Sequence, residues 1–123
     1  MAARSATLAG AAPLFAALGD ETRLRIVARL CAGGPQSIAA ITAGLKVTRQ
    51  AVTKHLRVLA EVGVARGVRR GRESRWELEP ERLAVARRHL DRISEQWTRR
   101  LGSLDRHLDA MAEAEATSPA PKR

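Results

Sequence analysis

The 123-residue chain is long enough for one self-supporting domain, and 45% hydrophobic with 28% charged residues excludes wholesale disorder. A formal net charge of +9 calls for a polyanionic partner, nucleic acid or an anionic membrane. The single cysteine excludes an internal disulfide and a multi-cysteine metal site, and no apolar run approaches the roughly 20 residues of a membrane span.

Aromatic residues are only 2% of the chain, so the core must be built from Leu, Ile, Val and Ala, which suits helices. The Ala-rich start, residues 1–11, is expected to be a disordered arm in a cytoplasmic protein. A first helix is predicted after Pro13, carrying Leu14, Phe15 and Leu18 and ended by Gly19. Asp20 then caps a second helix that stops at Gly33-Gly34-Pro35. In it Leu24, Val27, Ala28 and Cys31 fall at i, i+3, i+4 and i+7, which predicts a buried stripe with Cys31 as a small core residue.

Ser37 caps a short third helix with Ile38 and Ile41 facing inward, and Gly44-Leu45-Lys46-Val47 forms a tight turn. Thr48 caps a fourth helix running to about Glu61 and closed by Gly63. Two short helices across a Gly-containing turn make a helix-turn-helix. The period then changes to two. Val64 to Arg69 and Glu73 to Leu78 flank Arg70-Gly71-Arg72, which predicts a β-hairpin with a basic tip, a wing. After Pro80 a long helix follows. Leu90, Ile93, Trp97, Leu101, Leu104, Leu108 and Met111 are spaced by 3, 4, 4, 3, 4 and 3 residues, the seam of a coiled coil. The domain is thus expected over residues 12–111, with a dimerisation helix over about 81–111 and a disordered tail over 112–123. The fold class is mainly α with a small hairpin: a winged helix-turn-helix of about five helices and a two-stranded wing.

Charge and chemistry concentrate in the middle. Between Lys46 and Arg75 nine basic residues face two acidic ones, Glu61 and Glu73, so this segment carries +7 of the formal +9. A localised basic stripe is what a phosphate-backbone reader needs. On the fourth helix Val52, Leu56 and Leu59 share one face, Gln50, Thr53, Lys54 and Arg57 the opposite one, and Arg49 and His55 the flanks. Gln can bond adenine, Arg and Lys can read guanine, and a Thr methyl can meet a thymine methyl. The predicted DNA-contacting residues are Ser37, Lys46, Thr48, Arg49, Gln50, Thr53, Lys54, His55, Arg57, Arg69, Arg70, Arg72 and Arg75. The predicted dimer contacts are Phe15, Leu18, Leu90, Ile93, Trp97, Leu101, Leu104 and Leu108. His55, His89 and His107 lie far apart with no nucleophile motif beside them, and no phosphate-cradling Gly-rich loop is present, so nothing supports an enzyme.

These residues resemble the ArsR/SmtB family of winged-helix regulators, from about Phe15 to Leu108. The matching segments are FAALGDETRLRIVARL, SIAAI and VTRQAVTKHLRVLAEVGVARGVRRGRESRWEL. The family's recognition helix reads like S-Q-x-A-V-S-K-H-L-x-x-L-x-x-x-G-L-V, and Thr48, Ala51, Val52, Thr53, Lys54, His55, Leu56, Leu59, Gly63 and Val64 match it closely. Trp76 stands where the wing commonly has Tyr, and Ala40 where an acidic capping partner is usual. The resemblance implies a homodimer, paired through its first and last helices, that represses from operators in double-stranded DNA. The family's metal sites do not transfer. The thiolate sites need clustered cysteines and only Cys31 exists. Asp105 and His107 supply half of a last-helix site, whose other half would fall near Thr117, where no His follows; His89 is followed by Arg92, which cannot ligate. The last helix looks more like the metal-independent branch. The expectation is a DNA-binding repressor on an inverted repeat, with no cofactor, no metal, no membrane and no evident effector. The alternatives are a metal-responsive repressor and a winged-helix protein-interaction module; the Arg-rich hairpin tip argues against the latter.

Overall fold

The computed structural model describes residues 7–117. In chain order it contains α1 (Leu8–Leu18), α2 (Glu21–Gly33), α3 (Ile38–Ala43), α4 (Arg49–Glu61), β1 (Ala65–Arg70), β2 (Glu73–Leu78) and α5 (Pro80–Thr117). These five helices and one antiparallel hairpin make a winged helix-turn-helix. The described residues up to His89 form one compact unit, and those from Leu90 onward a second.

Four helix starts follow one rule: a short polar side chain in extended conformation accepts a hydrogen bond from an otherwise orphaned N–H three residues on. Thr7 Oγ1 accepts from Gly10 N at 2.9 Å, Asp20 Oδ2 from Arg23 N at 2.9 Å, Ser37 Oγ from Ala40 N at 3.2 Å and Thr48 Oγ1 from Ala51 N at 3.1 Å. The Thr7 cap corrects the sequence expectation of a helix beginning after Pro13 and an arm reaching residue 11: residues 8–11 are helical and Pro13 lies inside α1. Proline there orphans one carbonyl, that of Ala9, an exposed residue whose carbonyl water can satisfy, while Ala11 is buried and anchors the first turn. The arm's residues 1–6 and the tail's residues 118–123 lie outside the described residues. The rest of the expected tail, residues 112–117, continues α5; its alternating Ala and Glu are good helix formers.

A second correction concerns α2. Leu24 (50% exposed), Ala28 and Cys31 face outward, and Ile26 and Leu30 fill the core. Apolar residues cover somewhat more than half of this helix's circumference, so a period of 3.6 admits two overlapping stripes that share Val27. The buried stripe carries two large aliphatics, Ile26 and Leu30, whereas the outward one carries one, Leu24, beside the small Ala28 and Cys31.

The core joins Leu14 of α1, Ile26 and Leu30 of α2, Ile41 of α3, Val52, Leu56 and Leu59 of α4, Val64, Ala65, and Val85 and Ala86 from the start of α5. Gly63, at φ 78°, closes α4, with Val64 N donating to Leu59 O at 2.9 Å. In the hairpin Ala65 pairs with Leu78 and Arg70 with Glu73. The two-residue turn puts Gly71 at φ 61°, as a type II′ turn requires at its first central position. The strand begins at Ala65 rather than Val64, and Arg70 is its last residue rather than part of the turn. Trp76 of β2 also pairs with Gln36, just before α3, through N–H···O bonds of 3.0 and 2.7 Å, so the wing is tied to the helix-turn-helix by backbone as well as packing.

Candidate nucleic-acid interface

The α4 core face is fully buried: Val52, Leu56 and Leu59 are each 0% exposed. Burial of that face fixes what the opposite face presents. Gln50, Lys54 and Arg57 are exposed there, Arg49 is exposed on the flank, and with Ile38 and Thr53 they line a shallow groove of about 480 Å³. Thr53 Oγ1 donates to Arg49 O at 2.8 Å, which leaves its methyl as the group able to meet a base. Ser37 and Thr48 spend their side-chain oxygens on capping, and Lys46 is exposed in the turn between α3 and α4. Among the described residues Lys46, Arg49, Lys54 and Arg57 form no ion pair.

His55 departs from the expectation that it contacts DNA. Its ring is half-buried against α2, with Nδ1 at 3.2 Å from Arg23 Nη1 and 4.0 Å from Asp20 Oδ2. The position is a flank of α4, and the groups packed on that flank claim the ring. Asp20 itself is held below the usual carboxylate range, chiefly because it accepts the Arg23 N–H; desolvation opposes this, and the nearby Arg23 and His55 add smaller lowering contributions.

The wing divides its arginines into two sets. Arg66 bonds Glu77 Oε1 and Glu79 Oε1, each at 2.6 Å, and these carboxylates hold its guanidinium charged. Arg75 lies 3.0 Å from Glu73, so the residue expected to offer an outward phosphate contact is already paired. Arg69, Arg70 and Arg72 are exposed and form no ion pair among the described residues. Strand alternation puts Arg69 on the face of Gly67 and Arg70 on the face of Val68, so the tip shows charge on both sides.

Three residues that position this surface carried no periodic signal. Arg23 donates from Nε to Ala17 O at 2.6 Å besides its contact with His55. Gln36 Nε2 donates to Arg29 O at 2.7 Å beside the bridge to the wing. Arg29 donates to Ala40 O at 3.2 Å and lays its guanidinium against the α-carbon of Gly44, where a side chain would displace it.

Residues 18–68 match a family model described as a helix-turn-helix domain. The HTH-type transcriptional regulator Rv2034 of Mycobacterium tuberculosis is 37% identical over 94 residues, 76% of this chain and 84% of that one. An ArsR-like transcriptional regulator from Rhodococcus sp. RHA1 has a solved structure that superposes with a TM-score of 0.67 at 40% identity, over 77% of this chain and 89% of that one. The chain belongs to the ArsR-like family of helix-turn-helix transcriptional regulators. It is therefore a DNA-binding regulator of transcription and not an enzyme. A further neighbour, the antimony-specific transcriptional repressor AntR, superposes with a TM-score of 0.53 at 27% identity, over 75% of this chain and 86% of that one.

In this ArsR-like chain the predicted seam is intact and uncovered. Leu90, Ile93, Trp97, Leu101, Leu104, Leu108 and Met111 are all between 46% and 60% exposed. Phe15 and Leu18, expected at the same interface, pack partly buried on the chain's own core, and Phe15 meets the buried His89 ring edge-on at 6.4 Å between centroids. Among the described residues no three His, Cys, Asp or Glu side chains gather where a metal could sit, and no helix is long and apolar enough to cross a membrane.

Proposed function

We propose that this regulator is a homodimeric cytoplasmic repressor that occupies an inverted-repeat operator, with one α4 in the major groove of each half-site. The observation that carries the reading is the pairing of two faces: a polar face on α4 with unpaired cations, and an apolar seam on α5 that its own chain leaves exposed. Gln50, Lys54 and the Thr53 methyl are assigned to base edges because they lie in the first half of α4, opposite its core face. Arg57, a turn further on, is assigned to the backbone, and Arg49 to either a base or a phosphate. Ser37, Lys46 and the capped N-terminus at Thr48 are assigned to phosphates. Arg69, Arg70 and Arg72 would supply affinity from the wing without choosing sequence.

An inverted repeat read by the two α4 helices of a dimer would space its half-sites about 34 Å apart, one turn of DNA. The name of the AntR neighbour supports repression as the mode of regulation. A metal trigger is not part of this reading, since a closed thiolate site needs several clustered sulfurs and the chain has Cys31 alone.

Footprinting on the promoter of this gene, with sedimentation of the protein–DNA complex, tests the proposal. The expected result is one protected inverted repeat carrying two protein copies. Protection by one copy, or binding indifferent to sequence, would contradict it.

A further inference from the structure

We infer that Arg23 and His55 form a positioning pair that sets the rotation of α4 about its own axis, so that base discrimination depends on two residues off the groove-facing surface. The inference rests on the reading of α4 as the base-contacting helix.

One side chain joins three helices. From its place in the first turn of α2, Arg23 reaches back to the last turn of α1, where Nε donates to Ala17 O at 2.6 Å. Its Nη1 donates to His55 Nδ1 in the middle of α4 at 3.2 Å, and its backbone N–H is held by Asp20. A guanidinium suits this task because its donors form a planar fork that stays charged at every working pH. The contact also defines the ring: Nδ1 can accept only with its lone pair free, so the neutral imidazole carries its hydrogen on Nε2.

The other forces on α4 are of a different kind. Val52, Leu56 and Leu59 hold the helix to the core by apolar burial, which has depth but little direction. Such packing resists removal of the helix far more than a small turn about its axis. At roughly 5 Å from the axis, a 10° turn moves a side-chain atom by about 0.9 Å, beyond the roughly 0.5 Å tolerance of a preorganised polar site. The Arg23–His55 bond lies on the flank of α4, between its buried and outward faces, where it opposes such a turn. A phosphate contact follows a small movement; paired hydrogen bonds to a base edge do not.

The test uses the full-length protein and two duplexes: one selected by the wild type from a randomised pool, and a scrambled duplex of the same composition. The readout is the ratio of affinities, beside thermal unfolding. His55→Leu removes the acceptor, and Arg23→Lys removes the fork. Each is expected to lower the ratio about tenfold while leaving affinity for scrambled DNA nearly unchanged. His55→Asn places Oδ1 where Nδ1 stood and is expected to restore most of the ratio. Nitrogen NMR of the wild type at pH 8 is expected to show His55 Nδ1 as an unprotonated acceptor whose resonance shifts in Arg23→Lys. Gln50→Ala separates this inference from the reading beneath it: a Gln50→Ala ratio equal to wild type contradicts base reading by α4. A reduced ratio there, with a wild-type ratio in His55→Leu and Arg23→Lys, overturns the pair. So does equal loss in His55→Asn and His55→Leu, or a fall in both affinities that tracks the melting temperature.

Discussion

Two helices of this chain carry the same apolar spacing and meet opposite fates. On α4 the residues at that spacing, Val52, Leu56 and Leu59, are 0% exposed. On α5 from Leu90 onward, seven large apolar residues remain 46–60% exposed. Periodicity identifies the face a helix needs to bury, but not whether the cover comes from its own chain. Length settles part of that question. The 13 residues of α4 can be covered by three neighbouring helices, whereas Leu90 to Met111 extends about 33 Å at 1.5 Å per residue, long for a domain of this size to cover. A stripe so long and continuous, rather than scattered exposure, is the surface that the proposed dimer would bury.

The contrast can be broken from either side. Leu56→Ala is expected to cost roughly 2–5 kcal/mol of folding stability, with a fall in melting temperature that calorimetry finds independent of protein concentration. Leu101→Asp is expected to leave the unit up to His89 folded, yet weaken self-association by roughly 2 kcal/mol or more, read by sedimentation. A Leu101→Asp protein that unfolds at every concentration would show the seam to be core.

The wing sharpens the same lesson, since an arginine's neighbours decide whether its charge is available. Arg70→Ala is expected to reduce the salt slope of DNA binding by about 1, measured by titration at several salt concentrations. Glu73→Gln is expected to act the other way, releasing Arg75 and raising affinity for random duplexes by roughly two- to fivefold. The smallest effect concerns Asp20. Its carboxyl titrates lower folded than unfolded, so its contribution is present above the unfolded value and lost as pH falls through the folded one. Asp20→Asn keeps the cap and is expected to flatten that acid limb in pH-dependent melting curves.

Much of the architecture was legible in the residues because local chemistry and global fold agree. Thr48 and Gly63 bracket α4, Gly71 marks the hairpin turn, and the α4 faces separate cleanly. Elsewhere local signals were ambiguous or overruled. Pro13 reads as a helix start, yet Thr7 caps further upstream. The wide apolar arc of α2 allows two stripes, and only tertiary packing selects Ile26 and Leu30. His55 and Arg75 read as cationic or donor groups on a basic segment, but Arg23, 32 residues away in sequence, and Glu73 occupy them. Such pairings depend on tertiary placement and leave no periodic trace.

The central claim is that the outward face of α4 reads base edges. The most direct measurement compares Lys54→Ala with wild type on the selected duplex and on its scrambled counterpart at one salt concentration. The account predicts a loss of roughly 1–3 kcal/mol on the selected duplex and much less on the scrambled one. Equal losses on both would mean that Lys54 meets only phosphates and that the face does not read sequence.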